Sequence, residues 1–227
     1  MIIITGASRG IGKYLFEKFW EGEEIVYGTY HTTQPNTDKI DFLTKVDISN
    51  HSDVRNWIDT IKNKMKEVIL INCAGINYNS FAHKADINQW GNVINTNLIG
   101  TFNVIREVLP IMRESSYGRI INLSSIVAQT FVPGSSAYAA SKAGLWGLVR
   151  SIAIENSRKG ITINNLNLGY YNLGMISEVP KEYQDILKKK IPSGNFGEPK
   201  NILNAIKFLI ENDYINGTSV DINGGLL

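Results

Sequence analysis

The stretch MIIITGASRGIG, residues 1–12, joins a short apolar run to a turn that contains three glycines. The apolar run predicts a strand over residues 1–5, and the apolar spacing after the turn predicts a helix over residues 11–20. Gly6, Gly10 and Gly12 allow the backbone to turn sharply between the two elements and to approach a neighbour closely. A strand, a glycine turn and a helix in this order indicate the first unit of a parallel α/β sheet.

The rest of the chain repeats this alternation of short apolar runs and helical segments. Further strands are predicted at residues 25–30, 45–47, 68–72, 119–123, 161–168 and 218–222, and further helices at 53–66, 92–112, 137–157 and 200–210. Runs such as VILIN (68–72) are apolar on both faces, which is typical of a parallel sheet covered by helices on each side. The sequence therefore predicts an α/β fold with a single Rossmann-type, doubly wound parallel sheet of about seven strands. Helices would lie on both faces, in one domain over residues 1–227.

Two segments interrupt the alternation. Residues 31–44 are too polar for a clear crossover helix, and residues 169–195, after the sixth strand, are interrupted by glycines and prolines. Long irregular segments in compact domains are often binding loops, so we expect residues 169–195 to form a substrate loop. The apolar residues of this loop, which would either line a pocket or pack within the loop, are Met175, Ile176, Val179 and Tyr183.

The composition excludes several classes of partner. The formal net charge is +2, and basic residues cluster only at Lys188–Lys190, so we expect neither nucleic acid nor a membrane as partner. The apolar runs are too short for a signal peptide or a membrane span. The single cysteine, Cys73, allows no internal disulfide, which favours a cytoplasmic location. We assign no metal site.

The glycine turn also indicates a binding site. A helix that starts directly after such a turn presents free N–H groups and its positive dipole end to a pyrophosphate. We therefore expect a dinucleotide to contact Gly6, Ser8, Arg9, Gly10, Ile11 and Gly12.

The second predicted strand helps to decide between dinucleotides. It ends YGTYHTT (27–33), without the acidic residue that usually binds a free ribose 2′-OH. Arg9 in the glycine turn suits a 2′-phosphate, and His31 is placed to add a hydrogen bond. An exposed turn arginine and an ordinary loop histidine are the alternatives. The sequence favours NADP(H) over NAD(H).

Four polar residues outside the turn form a catalytic pattern. Tyr138 and Lys142, in SAYAASKAGL (136–145), share one face of a predicted helix. A phenol has a pKa of about 10, and a nearby ammonium favours the phenolate, so Lys142 is expected to lower the pKa of Tyr138. Tyr138 would then act as general acid in reduction or as general base in oxidation, with the hydride supplied by the cofactor. Asn97 and Ser125 complete the set, with Ser124 as the alternative to Ser125.

Several motifs occur in a characteristic order: TGASRGIG (5–12), NCAG (72–75), NTNLIGTF (95–102), YAASK (138–142), GEP (197–199) and VDINGG (220–225). With these motifs the chain resembles, nearly from end to end, the classical short-chain dehydrogenase/reductase family. Within that family it is most similar to the 3-oxoacyl-[acyl-carrier-protein] reductase branch. The resemblance implies a small-molecule carbonyl or alcohol as substrate, whose oxygen would accept a hydrogen bond from Ser125. It also implies that Lys142 holds the nicotinamide ribose and that Asn97 holds a proton-relay water.

The resemblance assigns further contacts. It implies that Asp47 and Ile48 border the adenine, and that Gly169 and Tyr171 border the nicotinamide. The cofactor would also be lined, through backbone atoms, by Asn72, Cys73, Ala74 and Gly75. In the family the helices that carry Asn97 and Tyr138 pair subunits, which implies a homodimer or homotetramer. The expected contributors are Trp146, Leu148 and Val149.

The sequence departs from the family pattern in places. Leu168 and Leu173 stand where the family usually has a proline and a threonine, and Asn172 is the candidate to replace the threonine. The stretch ESSY (114–117) lacks the basic residue expected for an acyl-carrier partner, although Lys159 keeps one. One alternative function is therefore the reduction or dehydrogenation of a sugar or another polar precursor. An alternative of another class is a non-catalytic cofactor-binding scaffold.

Overall fold

Seven parallel strands form one sheet in the computed structural model, which describes residues 1–130, 132–174, 176 and 179–226. The strands are β1 (Ile2–Thr5), β2 (Val26–Tyr30), β3 (Leu43–Lys45), β4 (Val68–Asn72), β5 (Gly118–Ser125), β6 (Ile161–Leu168) and β7 (Ser219–Ile222). Their order across the sheet is β3-β2-β1-β4-β5-β6-β7. Strands are therefore added in one direction from β1 to β3 and in the opposite direction from β4 to β7, with the switch point between β1 and β4. The predicted doubly wound parallel sheet is confirmed.

Helices cover both faces of the sheet. They are α1 (Gly10–Glu21), α2 (His51–Ile61), α3 (Ile87–Ile94), α4 (Thr101–Ser115), α5 (Ser136–Asn156), α6 (Lys181–Lys190) and α7 (Pro199–Glu211). One core lies between the sheet and α2, α4 and α5, and a second core lies between the sheet and α1 and α7. In β1, Ile3 belongs to the first core and Ile2 and Ile4 to the second, which explains why the strands are apolar on both faces. Val149 packs in the first core, so its expected place in a subunit interface is wrong.

The structure differs from the prediction in three elements. Strand β3 comes two residues earlier than predicted. The helix predicted over residues 92–112 is α3, a π-helical segment (Asn95–Gly100) and α4 in succession. The loop predicted as irregular contains α6, a helix of ten residues that buries none of them and lies between Pro180 and Pro192. Glu182 in its first turn and Lys188–Lys190 in its last turn complement the helix dipole.

The loop after β6 packs largely on itself. Ile176 forms a small buried cluster with Ile191 and Phe196, and Val179 and Leu187 pack against it. Of the apolar residues left open between pocket and packing, Ile176 and Val179 therefore serve packing, while Tyr183 is exposed. Met175 lies outside the described residues.

A row of amides crosses the sheet in its interior. The Asn72 Nδ2 donates to Asn122 Oδ1 at 2.8 Å, and Asn122 Nδ2 donates to Asn165 Oδ1 at 3.1 Å. The row ends where Asn165 Nδ2 donates to Ser219 Oγ at 3.0 Å. Each pair is in register on adjacent strands, so the row ties β4, β5, β6 and β7 together.

No helix in the described parts of the chain combines the length and the apolar character needed to cross a membrane.

We expect Asn122→Val to destabilise the fold by about 1–3 kcal/mol, because it leaves the Asn72 donor and the Asn165 acceptor buried without a partner. Urea denaturation measures the loss. Asn204→Ala, at an exposed position of α7, is the control and should change stability little. An Asn122→Val protein as stable as the parent would show that the amide row contributes nothing.

Candidate active site

The glycine turn between β1 and α1 lies against the end of β4. Gly6 has a φ of +69°, and a Cβ on it would come within 2.8 Å of Ala74 Cα. A Cβ on Gly12 would come within 2.1 Å of Gly6 O, so both positions require glycine. The Thr5 hydroxyl accepts hydrogen bonds from the backbone N–H groups of Cys73 and Ala74, at 3.1 and 3.2 Å. The turn and the segment after β4 therefore form one wall.

The start of α1 fits an anionic ligand. Arg9 stands at the N-cap, its side chain does not cap the helix, and the first turn has no acidic residue. The first N–H groups of the helix, at Gly10, Ile11 and Gly12, therefore form a positive helix end of the kind that pyrophosphate prefers. Gly10 has a φ of +54° and lies close to Gly174 of the loop after β6, and Ser8 lies in the same turn. The residues present thus fit the predicted dinucleotide.

The ends of β2 and β3 bring a histidine and a carboxylate together. His31 Nε2 lies 3.9 Å from Asp47 Oδ2. The other carboxylate oxygen of Asp47 accepts hydrogen bonds from the Ser49 backbone N–H and hydroxyl, at 2.9 and 2.7 Å. The Ile48 side chain is buried and points at Gly100, where a Cβ would come within 2.8 Å of it. A contact between Ile48 and adenine would therefore have to use the backbone.

Tyr138, Lys142 and Ser125 meet where β5 ends beside the first turns of α5. The Lys142 Nζ donates to the Leu123 carbonyl at 2.7 Å and lies 5.6 Å from the centre of the Tyr138 ring. The Ser125 hydroxyl interacts with the Tyr138 phenol and accepts a hydrogen bond from Val127 N at 3.2 Å. The Ser124 hydroxyl instead faces the Lys142 carbonyl, at 3.4 Å. Of the two serines, the geometry therefore favours Ser125.

Burial dominates the electrostatics of this group. Burial raises the pKa of Tyr138 to about 12, and the hydrogen bond from Ser125 only partly opposes the shift. Burial lowers the pKa of Lys142 to about 8. The expected lowering of the Tyr138 pKa is not met in the chain without cofactor, where the effect of burial is larger. Burial also raises the pKa of Cys73 to about 12, which keeps the thiol protonated near neutral pH.

Asn97 lies in the π-helical segment and is fully buried. Its Oδ1 accepts from Ile76 N at 2.8 Å, and its Nδ2 donates to Ile76 O at 2.9 Å and to Ser141 Oγ at 3.1 Å. The Ser141 hydroxyl in turn donates to Tyr138 O at 2.8 Å. A Cβ on Gly75 would lie 3.2 Å from Asn97 Oδ1 and 3.8 Å from Lys142 Nζ, so these two groups lie near the same side of Gly75.

The residues after β6 make contacts with later parts of the chain. Gly169 lies close to Asn223, where a Cβ would come within 2.7 Å of the Asn223 Cα. The Tyr171 side chain is buried, and its hydroxyl donates to Ile222 O at 3.0 Å, so it does not open toward the ligand side. Asn172, the candidate to replace the threonine, uses its Nδ2 to donate to Glu198 at 2.8 Å.

The structure thus gathers most of the predicted residues at the carboxyl edge of the sheet. Gly6 packs against Ala74, and the open side of the next residue, Gly75, faces Lys142, so residues 74 and 75 lie between the glycine turn and the catalytic group. Thr5 and Ser141 were missed by the sequence reasoning. Ser141 lies inside the motif YAASK, but nothing in that spacing indicates that its hydroxyl meets Asn97.

Comparison with known proteins assigns the family. The family model for short chain dehydrogenase matches residues 1–184. The chain is 30% identical to 3-oxoacyl-[acyl-carrier-protein] reductase FabG of Haemophilus influenzae, over 99% of this chain and 96% of that protein. It is 34% identical to acetoacetyl-CoA reductase of Rhizobium meliloti, over 98% of this chain and 96% of that protein. The chain therefore belongs to the short-chain dehydrogenase/reductase family, in the branch that includes FabG, and is an NAD(P)-dependent oxidoreductase.

Proposed function

We propose that this chain is an NADP(H)-dependent carbonyl reductase that converts a 3-oxoacyl thioester to the 3-hydroxyacyl thioester, or catalyses the reverse reaction. The proposal rests on the group of Tyr138, Ser125 and Lys142, which residues 74 and 75 separate from the glycine turn at the same edge of the sheet. The similarity to FabG and to acetoacetyl-CoA reductase supports an acyl thioester as the substrate class.

The proton chemistry belongs to Tyr138. Its raised pKa keeps the phenol protonated near neutral pH, which is the state a general acid needs before it protonates the substrate oxygen. Ser125 donates a hydrogen bond to the same oxygen and stabilises the charge that develops there. The bound cofactor supplies the hydride.

Lys142 and Asn97 support this transfer. Lys142 holds the nicotinamide ribose, and its positive charge offsets the charge left on Tyr138 after the proton has gone. Asn97 Oδ1 and Lys142 Nζ both lie near the same side of Gly75, which supports a relay water between them that returns a proton from solvent. A water needs polar partners on several sides, and these two groups provide them.

The preference for NADP(H) rests on charge at two places. Arg9 precedes α1 and is exposed, where its guanidinium suits a 2′-phosphate. The end of β2 offers His31, Thr32 and Thr33 in place of the acidic residue that would bind a free 2′-OH.

We also infer that residues 1–227 act as one domain, in a reducing cytoplasm, as a homodimer or homotetramer. An apolar groove on the outer side of α5 and the π-helical segment supports the assembly. Ile99 and Phe102 are 45% and 43% exposed there, beside Leu148 and the small residue Gly147. Half-exposed apolar side chains that cluster in this way are typical of a subunit interface.

We expect Tyr138→Phe to lower kcat for the reduction of acetoacetyl thioesters by about 100-fold or more, because the general acid is lost. The Kd for NADPH should stay unchanged. Tyr214→Phe, at a fully exposed tyrosine, is the matched control. Parent-like turnover by Tyr138→Phe would reject the mechanism.

A parent protein that reduces keto-sugars but no thioester would favour the polar-precursor alternative, and a protein inert toward every carbonyl would favour the scaffold.

We expect Arg9→Ala to raise the Kd for NADPH about tenfold or more, because a charge-assisted hydrogen bond to the 2′-phosphate is lost. The Kd for NADH should change little. Fluorescence titration of both nucleotides measures the effect, with Arg55→Ala on the exposed side of α2 as control. Equal losses for both nucleotides would contradict the assignment of Arg9 to the phosphate.

We expect the parent protein to be a dimer or tetramer by light scattering, and Phe102→Glu to dissociate it, because a charge would be buried in the interface. Ile25→Glu, at an exposed apolar residue before β2, is the control and should keep the parent mass. A monomeric parent protein would refute the proposed assembly.

A further inference from the structure

Asp47 brings a fixed negative charge to the place where the proposed cofactor carries its extra phosphate. The carboxyl end of β2 is where a dinucleotide fold meets the substituent on the adenosine 2′-oxygen. Asp47 follows β3, the neighbour of β2, and Ser49 holds its Oδ1 through two hydrogen bonds. Its Oδ2 faces His31 at 3.9 Å. A 2′-phosphate bound here would be repelled by this carboxylate unless a cation stood between them.

His31 is the residue placed to supply that cation. It follows the last residue of β2 directly, and its imidazole is more than half exposed, so it remains accessible to a ligand. A protonated imidazole has two N–H donors, and it can therefore serve Asp47 and a phosphate at once. A neutral imidazole has one donor and no charge, so it cannot offset the repulsion between the two anions.

We propose that His31 selects the 2′-phosphorylated cofactor only in its protonated state, by bridging the phosphate and Asp47. The inference rests on the proposed preference for NADP(H) and adds a condition to it. Discrimination against NADH should be strong in mildly acidic solution and weak above neutral pH. Arg9 supplies the part of the discrimination that does not depend on pH.

The other charged groups on the adjoining elements are arginine, lysine and carboxylate side chains, and none of them is a histidine. On α1, Lys13 lies 3.7 Å from Glu17, and in the segment after β2, Lys39 pairs with Asp38 at 2.9 Å. Arg9 precedes α1, Asp41 follows in the segment before β3, and Lys45 ends β3. Histidine is the side chain that ordinarily changes charge near neutral pH.

The phosphate itself gives the opposite trend. A phosphate monoester gains its second negative charge at a pH of about 6, so contacts to fixed cations strengthen as the pH rises. A bridge that requires a protonated imidazole contributes less as the pH rises. The sign of the pH dependence therefore separates a bridge through His31 from a site built on Arg9 alone.

The test is the ratio of the Kd for NADH to the Kd for NADPH, measured by titration at pH 6 and pH 8. We expect the parent ratio to fall about tenfold between these values, because binding of the phosphate is linked to one proton. In His31→Gln the ratio should be lower at pH 6 and should not fall with pH. In His31→Lys, which carries a permanent charge, it should be high at both. His83→Gln, at an exposed histidine, is the matched control and should follow the parent.

Proton NMR gives a second readout that needs no turnover. The chain has three histidines, so the His31 signal is assigned as the one that His31→Gln removes. The midpoint of its titration should move to higher pH with 2′,5′-ADP, which carries the phosphate, and should not move with 5′-AMP. A midpoint that ignores 2′,5′-ADP would overturn the proposal.

The two proposals fail in different ways. A parent protein that prefers NADPH by the same ratio at both pH values would overturn the role of His31 and leave the preference for NADP(H) standing. A parent protein that binds NADH and NADPH equally at both pH values would overturn the preference itself, and the inference with it.

Discussion

A buried ammonium fixes the arrangement on which the candidate active site depends. Lys142 is 6% exposed, and its Nζ donates to the carbonyl of Leu123 in β5. In the described part of the chain no carboxylate pairs with it. Burying a charge costs free energy, and the cost rises if the charge loses its contacts with the carbonyl and the ring face. The hydrogen bond therefore holds α5 against β5 at one position, and that position sets where Tyr138 stands relative to Ser125.

The same burial sets the protonation state of the site. The pKa of Tyr138 is raised to about 12 because the phenol lies out of solvent, and the pKa of Lys142 is lowered to about 8 for the same reason. The phenol therefore keeps its proton near neutral pH, and forming the phenolate in the chain without cofactor is unfavourable.

The sequence predicted the sheet and the glycine turn because both are local patterns. Gly6 and Gly12 follow a strand and open a helix, and the close approach to Ala74 requires glycine. The π-helical segment at Asn97 was not predictable, because it depends on contacts with Ile76 and Ser141, which are distant in sequence. The inward turn of Tyr171 depends likewise on Ile222, 51 residues later. Helix α6 was missed because it is short and lies among the prolines and glycines that favour an irregular segment.

The residues around the proposed cofactor phosphate also include a contact that the sequence alone did not predict. The end of β2 has no acidic residue, which in sequence indicates a site open to a phosphate. The fold, however, pairs Tyr30 of β2 with Lys45 of β3, and this register brings Asp47 beside His31. The acidic residue that is missing at the end of β2 is thus supplied after β3 by Asp47, whose side chain is held by Ser49. Under the proposed preference for NADP(H), the ends of both strands would set selectivity together, and the histidine between them would make its strength depend on protonation.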